Sequence, residues 1–331
     1  MIFGITTGDS SGIGPEILLK SFRDGELKQP VVAYGDLAVL AYYNERLNLG
    51  VDLRCISNPT AYVAGPLNVV DAGLLRRENV RSGQLDGLSG AAARAYVVSA
   101  TKAALAGDIA AIVTLPMNKE ATQLSDSKFV GHTELIGELC GSSDVTIMLA
   151  SDDLIVTHVS THVSLAKAIA AAKKERICKI LKLTSDAVSR LIEHPRIAVA
   201  GLNPHAGENG LFGDEEIREI RPAVDWAKAQ GMPIDGPFPP DTVFYLAVRR
   251  KKFDAIVCMY HDQGHIPLKL LDFEGGVNVA LGLPIIRTSV DHGTAFDIAG
   301  AGVASTISLR KALQFAVRLA TNRSEQVVCE A

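Results

Sequence analysis

Short apolar runs alternate with longer segments of helical periodicity along most of this chain. Several of the runs are continuous and bounded by Gly, Asp or Pro, which is typical of strands buried on both faces. The strand candidates are Ile2–Thr6, Pro30–Tyr34, Leu53–Ile56, Ala110–Leu115, Thr146–Ala150, Leu154–His158, Ile197–Ala200 and Ala255–Met259. The helix candidates are Gly90–Ala106, Leu165–Lys174, Asp214–Gln230 and Leu309–Ala320, with Ser164 and Ser308 as N-caps. This alternation predicts an α/β fold with a largely parallel sheet.

The length and the charge balance narrow the class of protein. A chain of 331 residues is longer than one hydrophobic core usually spans, so we expect two lobes. Because no Pro/Gly/Ser linker separates two halves, we expect the chain to cross between the lobes more than once and to form a ligand cleft there. The 33 basic and 37 acidic residues give a net charge of -4 without a basic stripe, which argues against nucleic acid as a partner.

The cysteines and the first residues bear on the cellular compartment. The five cysteines are scattered, odd in number and form no CxxC pair, which favours a reducing compartment over disulfides or a structural zinc site. They are Cys55, Cys140, Cys178, Cys258 and Cys329. No basic region followed by an apolar stretch opens the chain, and no apolar run reaches membrane-spanning length. We therefore expect a cytoplasmic protein that has neither a signal peptide nor a membrane span.

The segment GDSSGIGPE, Gly8 to Glu16, lies between the first strand and a helix. Its glycines allow a tight turn, and free N–H groups at a helix start can hold an anion. The segment also matches GxSxG with Ser10 at the centre, so a serine hydrolase is an alternative of another class. A turn without any ligand is the third interpretation.

Titratable side chains gather after other strand candidates. Of eight histidines, His162, His205 and His261 each closely follow a strand, although their spacings fit no local metal motif. They either converge on one metal ion or serve as hydrogen-bonding side chains. HDQGHIPLK adds Asp262 and Lys269 as acid–base candidates. RTSVDHGTAFDIAG forms a loop against which a cofactor can lie, and its Arg287 suits a carboxylate or a phosphate.

These motifs, together with VTLPMNKEA, FVGHTEL, GLNPHAGENGLFGDEE and GPFPPDTVF, resemble the 4-hydroxythreonine-4-phosphate dehydrogenase family in content and order, from about the first residue to about residue 310. The resemblance implies a two-lobed α/β fold like that of isocitrate and isopropylmalate dehydrogenases, with an interlobe cleft. We place the first lobe at residues 1–128 and 288–331 and the second at residues 129–287. A homodimer with its active site shared between protomers is also implied.

The resemblance assigns roles to individual residues. It implies one divalent metal ion (Zn, Co, Mn, Mg or Ni) held by His162, His205 and His261. The implied substrate contacts are His132, Thr133, Lys269, Asn278 and Arg287, and the implied NAD-binding loop contains His292, Gly293, Thr294 and Asp297. Asp241 and Asp262 match acidic positions near the metal and, with Lys269, are the catalytic candidates.

The implied chemistry is the oxidation of a small phosphorylated hydroxy acid. A metal ion would lower the pKa of the substrate hydroxyl, NAD would take the hydride, and the β-keto acid formed would lose carbon dioxide. The chain departs from the family pattern at Ser10 and Ser11, which replace Pro and Ala, and at His265, which follows HDQG. His265 favours the branch that acts on 4-phospho-D-threonate or 4-phospho-D-erythronate. The alternatives are 4-hydroxythreonine 4-phosphate itself and an aromatic diol without phosphate.

Overall fold

The computed structural model describes residues 1–329, with side chains up to Thr321. The chain divides into two compact units. Unit 1 consists of Met1–Val145 and Leu283–Ala320, and unit 2 consists of Thr146–Gly282 with the end of the last helix from Thr321. Residues 129–145 and 283–287 thus belong to unit 1, whereas the sequence led us to expect them in the second lobe. No helix among the described residues is both long enough and apolar enough to span a membrane.

Unit 1 begins with five strands and five helices. The strands are β1 (Phe3–Thr6), β2 (Val31–Gly35), β3 (Leu53–Ile56), β4 (Leu67–Asp71) and β5 (Ala111–Thr114). The helices are α1 (Gly14–Arg23), α2 (Leu37–Arg46), α3 (Gly87–Ala106), α4 (Lys119–Gln123) and α5 (His132–Leu139). Helix α5 packs against α3, which explains why residues 129–145 group with this unit.

Unit 2 has a mixed sheet. Its strands are β6 (Thr146–Ala150), β7 (Ile155–His158), β8 (Ile197–Ala200), β9 (Ile234–Phe238), β10 (Ala255–Cys258) and β11 (Val277–Leu281). Its helices are α6 (Leu165–Ala171), α7 (Lys174–Ser189), α8 (Arg221–Ala229), α9 (Pro240–Val248) and α10 (His261–Leu271). The strand order is β11-β6-β7-β10-β8-β9, and the pairs of β6 with β11 and with β7 are antiparallel.

Strand β12 (Arg287–Val290) returns the chain to unit 1, and α11 (Ile307–Cys329) follows it. The strands of unit 1 are in the order β3-β4-β2-β1-β5-β12 and all pair in parallel. The carboxyl ends of parallel strands meet at one edge of a sheet, where α/β proteins bind ligands. GDSSGIGPE, LPMNKEA and the loop after Val290 therefore share one edge, because they follow the neighbouring strands β1, β5 and β12.

The same rule places the histidines of unit 2. Strands β7, β10 and β8 are parallel neighbours, and each is followed within five residues by one of the three metal-ligand candidates. His162 follows β7, His205 follows β8 and His261 follows β10. One edge of the unit 2 sheet therefore carries all three side chains.

The α/β fold is confirmed, and every strand candidate is found within one or two residues of its predicted bounds. Two helix predictions need correction. The segment Leu165–Lys174 breaks at Ala172, whose ψ of 62° is not helical, and α7 starts afresh at Lys174. Ser308 is not a cap, because α11 begins at Ile307; its hydroxyl instead accepts a hydrogen bond from the Asp291 N–H. Ser164 does cap α6.

The cysteines with described side chains are free thiols, as expected. They are Cys55, Cys140, Cys178 and Cys258. Cys329 lies outside the part of the chain for which side chains are described.

Candidate active site

The loop GDSSGIGPE uses its backbone donors within unit 1. The Ser11 N–H donates to the carboxylate of Asp9 (2.9 Å), the Gly12 N–H to the Asp9 carbonyl (3.0 Å) and the Ile13 N–H to the Thr294 carbonyl (3.0 Å). These donors are therefore committed to protein acceptors, and our expectation that they hold an anion is not supported. The loop serves instead as a platform for the segment around Thr294.

Ser10 does not have the surroundings of a hydrolytic nucleophile. Its side chain is buried, and its hydroxyl lies 2.7 Å from the hydroxyl of Ser89, which also donates to Asp9. A nucleophilic serine needs a histidine base within hydrogen-bond reach. The partner is instead a second serine, so the serine-hydrolase alternative is wrong.

Glu16, the last residue of this motif, anchors the chain after the candidate NAD loop. Its buried carboxylate accepts hydrogen bonds from the N–H groups of Gly302 (3.1 Å) and Ala304 (2.9 Å). Lys20, one helical turn later, donates to the carbonyls of the same two residues at 2.8 and 2.7 Å. Glu16 thus binds the N–H groups of this segment, and Lys20 binds its carbonyl groups.

The candidate NAD loop lies directly against the first motif. A β-carbon at Gly12 would stand 2.9 Å from the Cβ and the carbonyl oxygen of Thr294, so the close approach requires glycine. Ala295 has a left-handed backbone (φ 43°), and His292 Nδ1 lies 3.0 Å from the Gly293 carbonyl. His292 and Thr294 are partly exposed, and Gly293 and Asp297 are exposed. The loop is therefore shaped by its neighbours and accessible on its outer side.

Arg287 is a buried cation in unit 1. Its side chain is 3% exposed, and its Nε and Nη2 donate to the Thr114 hydroxyl at 3.2 and 2.7 Å. Burial lowers the pKa of Arg287 to about 10, and the negative charge of Glu134 opposes this. The guanidinium therefore stays charged at neutral pH although it has lost much of its hydration. A cation in this state favours a bound anion, because binding replaces part of the lost solvation.

His132 lies close to this cation at the start of α5. Burial lowers the pKa of His132 to about 3, and the charge of Arg287 contributes to this shift. The imidazole is therefore neutral at pH 7, and its buried Nε2 has no hydrogen-bond partner among the described residues. No side chain caps α5 at Gly131, and Thr133 follows in its first turn. Unit 1 thus combines a cation, an unused ring nitrogen and a helix start.

Unit 2 brings two of the three metal-ligand candidates together. The rings of His162 and His261 have centroids 5.6 Å apart. The ring of His205 is exposed and packs edge-on against Phe212 at 5.8 Å. Among the described residues, no three His, Cys, Asp or Glu side chains are grouped closely enough to hold a metal ion. A cavity of about 290 Å³ adjoins the close pair, and its lining includes Thr161, His162, Leu165, Tyr260, His261 and Asp262.

Carboxylates orient two of these imidazoles. His205 Nδ1 lies 3.3 Å from Glu208 Oε2, and His261 Nδ1 lies 2.7 Å from Asp262 Oδ1. Histidines that bind metal ions commonly donate one ring N–H to a carboxylate and bind through the other nitrogen. The donor chemistry of His205 and His261 therefore fits a divalent cation bound through Nε2.

Behind His261 lie two histidines that face the interior. His265 stacks on His261 with centroids 3.6 Å apart, and its Nδ1 lies 3.2 Å from His158 Nε2. Burial lowers the pKa of His158 to about 3, and the charge of His265 contributes to this shift. His158 is therefore neutral. Because His265 is 9% exposed and lies between two other imidazoles, its Nδ1 contacts protein groups. This does not support the idea that His265 meets a substrate hydroxyl.

Gln263 is a buried bridging residue whose role the sequence did not reveal. Its side-chain amide donates to the Gly201 carbonyl and its oxygen accepts from the Met259 N–H, both at 2.7 Å. It thereby ties the end of β8 to the end of β10. These are the points from which the chain runs on to His205 and His261. A Gln inside a motif of titratable groups gives no sign of this bridging role.

The remaining candidates are distributed along unit 2. Asp241 is exposed in the first turn of α9, a helix that packs against the turn carrying His205. Asp262 and Lys269 lie in the first and last turns of α10, and Lys269 Nζ lies 5.3 Å from the ring of Phe273. Asn278 on β11 has a buried Oδ1 without a hydrogen-bond partner among the described residues.

Comparison with known proteins is consistent with this geometry. The family described as "Pyridoxal phosphate biosynthetic protein PdxA" matches residues 26–316. A D-threonate 4-phosphate dehydrogenase from Salmonella typhimurium is 46% identical over 96% of this chain and 98% of its own. A 4-hydroxythreonine-4-phosphate dehydrogenase from Desulforapulum autotrophicum is 42% identical over 97% and 96%.

A solved structure extends the likeness to three dimensions. The crystal structure of a 4-hydroxythreonine-4-phosphate dehydrogenase from Klebsiella pneumoniae superposes with a TM-score of 0.87 at 43% identity, covering 96% of this chain and 99% of that one. Several of the motifs that suggested the family from sequence, among them GDSSGIGPE and the segments with His205 and His261, lie at the strand ends described above. The chain belongs to the PdxA family of dehydrogenases.

Proposed function

We propose that this protein oxidises a 4-phosphorylated four-carbon hydroxy acid, 4-phospho-D-threonate or 4-phospho-D-erythronate, with NAD and a divalent metal ion. Oxidation at C3 would transfer a hydride to NAD and a proton to a base. The ketone would then lie β to the carboxylate, so the bond to the carboxylate would break, carbon dioxide would leave, and the electron pair would form an enolate that takes up a proton. The observation that carries the proposal is the buried guanidinium of Arg287, which suits a phosphate in a family whose named members act on phosphorylated acids.

The phosphate is assigned to unit 1 on electrostatic grounds. Arg287 offers a dehydrated charge, His132 an unpaired ring nitrogen, and the start of α5 its N–H groups. Charge-assisted bonds of this kind are about twice as strong as neutral ones. Thr133 in the same turn completes the group, and Lys269 and Asn278 are assigned to other parts of the substrate.

A divalent cation is assigned to His162, His205 and His261. Bound there, it would polarise the substrate hydroxyl and stabilise the negative charge that develops during oxidation and decarboxylation. Glu208 and Asp262 would hold two of the rings in the required tautomer. Asp262, Asp241 and Lys269 are the candidates for proton transfer, and the loop with His292, Gly293, Thr294 and Asp297 is assigned to NAD.

The active site is proposed to be shared between two copies of the chain, with His162 and His205 from one protomer and His261 from its partner. Helix α10, which carries His261 and Lys269, exposes large apolar side chains on its outer face. Ile266 is 63% exposed, Leu270 85% and Phe273, just beyond the helix, 73%. Side chains of this kind on one face favour association with another protein surface, and a symmetric dimer would cover both copies.

The branch with two hydroxyls is preferred over 4-hydroxythreonine 4-phosphate. The support is the name of the Salmonella typhimurium relative, which is 46% identical, although a relative named 4-hydroxythreonine-4-phosphate dehydrogenase reaches 45%. The buried position of His265 removes that residue as a physical reason for this choice. 4-Hydroxythreonine 4-phosphate therefore remains the alternative substrate. The cytoplasmic location also remains a prediction, based on the scattered cysteines.

A substrate panel monitored by NADH absorbance tests the proposal. It contains 4-phospho-D-threonate, 4-phospho-D-erythronate, 4-hydroxythreonine 4-phosphate and the dephosphorylated acids, each with NAD or NADP and a divalent ion. We expect the highest kcat/KM for a phosphorylated dihydroxy acid and release of one carbon dioxide per NADH. Faster turnover of 4-hydroxythreonine 4-phosphate reverses the branch assignment, and equal kcat/KM without the phosphate refutes the role of Arg287.

A further inference from the structure

The turn that carries His205 has an uncommon backbone. His205, Ala206, Gly207, Glu208 and Asn209 follow one another with φ values of 52°, 53°, 78°, 42° and 56°. A left-handed conformation is unfavourable for a residue other than glycine, and four of these five residues are not glycine. Such a turn persists only where the surrounding structure holds it in place.

The side chain of Glu216 is at the centre of this surrounding structure. It is 1% exposed. Its Oε1 accepts hydrogen bonds from the N–H groups of Leu202 (2.7 Å) and Asn203 (2.8 Å), and its Oε2 accepts from the side-chain amide of Asn203 (2.9 Å). Three donors thus converge on one carboxylate, directly before the left-handed turn begins.

The turn also wraps closely around this carboxylate. A β-carbon on Gly207 would stand 2.7 Å from Glu216 Oε2, and one on Gly201 would stand 3.1 Å from Oε1. Glu216 itself opens a π-helical turn, Glu216–Ile220, and such turns occur frequently at functional sites. The carboxylate therefore contacts the chain on both sides of His205.

We propose that Glu216 is a positioning residue that sets the left-handed turn and thereby aims the His205 imidazole for metal binding. The inference rests on the proposed function, because it assumes that His205 binds the metal ion. Glu216 acts through the backbone of residues 202–207 and does not itself touch metal or substrate. Its role is to fix the direction in which the exposed ring leaves the surface.

The variant Glu216→Gln tests this with little change in volume. A glutamine replaces one of the two accepting oxygens with an NH2 group that can only donate, so at least one of the three hydrogen bonds is replaced by a contact between two donors. The matched control is Glu215→Gln, which removes the same charge from a side chain that accepts a hydrogen bond from the Asn203 amide (2.7 Å) but from neither backbone N–H group that Glu216 binds. The readouts are the Co²⁺ dissociation constant, measured against a chromophoric chelator, and hydrogen exchange over residues 201–213.

For Glu216→Gln we expect a Co²⁺ dissociation constant raised by about tenfold or more. We also expect faster exchange at residues 201–213 and a kcat that recovers at saturating metal. Glu215→Gln should stay within about twofold of the wild-type affinity. Wild-type affinity and exchange in Glu216→Gln overturn the proposal. If Glu216→Gln does not fold, Asn203→Ala, which removes one of the three donors, tests the positioning role through the same two measurements.

The failure of the proposed function gives a different result. In that case the wild-type protein itself binds no Co²⁺ in the titration. The exchange measurement then decides the positioning role alone, because it does not depend on a bound metal. Unchanged exchange at residues 201–213 in the variant overturns the proposal in this case as well.

Discussion

Two buried glutamates, one in each unit, do the same local task in different surroundings. Glu16 in unit 1 and Glu216 in unit 2 each accept hydrogen bonds from two backbone N–H groups of a distant segment. Glu16 has Lys20 beside it at 3.8 Å, and its segment follows the candidate NAD loop. Glu216 is instead surrounded by neutral donors, and its segment leads into a left-handed turn.

The two glutamates therefore have different roles, since Glu16 anchors a segment to a helix and Glu216 is proposed to orient a side chain. Around Glu16 the lysine balances the charge and donates to the same backbone, so this arrangement fastens the chain to α1. Around Glu216 the hydrogen bonds offset the unfavourable free energy of the left-handed backbone. They thereby stabilise a conformation that these residues would otherwise avoid. We therefore expect loss of Glu16 to appear mainly in stability, and loss of Glu216 mainly in ligand binding.

The largest expected effect concerns the histidines that unit 2 presents. His162→Ala, His205→Ala and His261→Ala should each reduce activity to background, since each removes one of three proposed metal ligands. Treatment with a chelator should do the same to the wild-type enzyme, and a divalent ion should restore it. Full turnover of a metal-free preparation would show that these three histidines do not act as ligands of a catalytic metal ion.

Pairwise mixtures of these variants show how the three histidines are divided between chains. If His261 comes from the partner, mixing His162→Ala with His261→Ala under subunit exchange should restore about a quarter of wild-type activity, because half the dimers carry one intact site of two. Mixing His162→Ala with His205→Ala should restore none. The 5.6 Å between the His162 and His261 rings within one chain makes the opposite division a real competitor. That division predicts the reverse pattern.

Arg287→Ala should give the next largest effect. It removes the buried charge assigned to the phosphate, so transition-state stabilisation should weaken by about 3 kcal/mol. The value of kcat/KM should then fall more than about a hundredfold. Arg287→Lys keeps the charge but loses the planar fork, and should recover only part of the loss. The dephosphorylated acid serves as the control, since both variants should process it as the wild type does. An equal loss on both acids would mean that Arg287 supports the fold instead.

Glu16→Gln should have a moderate effect on stability. One charge-assisted hydrogen bond to Gly302 or Ala304 is lost and Lys20 loses its neighbour, so we expect the free energy of unfolding to fall by about 1.5–3 kcal/mol. Denaturant unfolding measures this. The Co²⁺ affinity should remain that of the wild type. A weakened Co²⁺ affinity in this variant would contradict the assignment of an effect on metal binding to Glu216 and of an effect on stability to Glu16.

His132→Gln should give the smallest effect at neutral pH. Because burial lowers the pKa of His132 to about 3, its ring is neutral at pH 7, and a glutamine can replace its hydrogen bonding at a cost of less than about tenfold in KM. A depressed histidine pKa means that the unfolded chain binds the proton first. Stability is therefore lost as pH falls from about 6.5 towards 3. The variant should resist acid better than the wild type in thermal unfolding at pH 4 and pH 7.

Much of the frame was predictable because its strands are continuous apolar runs. Three of the four strands that sequence reasoning missed carry features that disguise them. Strand β4 contains Asn68, whose buried amide donates to the Val63 carbonyl, and β9 contains Gly236 and Pro237, which usually exclude a strand. Strand β12 reads as polar because it starts with Arg287. In β4 and β12, hydrogen bonds made by Asn68 and Arg287 satisfy polar groups that look exposed in the sequence.

The candidate site was predictable in part. The three histidines follow strand ends, and that position is visible in the sequence. The roles of Glu216 and Gln263 are not, since each depends on a backbone group 13 or more residues away, at Asn203 and Gly201 respectively, and any sequence supplies such groups. The burial of His265 was equally hidden, because a histidine one turn after His261 gives no sign of which face of α10 it occupies.

Unit 1 is built from two separate stretches of sequence, which has a consequence for the folding of the nascent chain. A ribosome releases most of unit 2, Thr146–Gly282, as one stretch, whereas unit 1 waits for β12, which pairs with β5 only after more than 170 further residues have emerged. Arg287 arrives with that strand. The proposed phosphate pocket is therefore among the last features to form, and a prematurely terminated polypeptide would lack its cation. Capture on an immobilised phosphate ester would thus select full-length molecules over truncated ones.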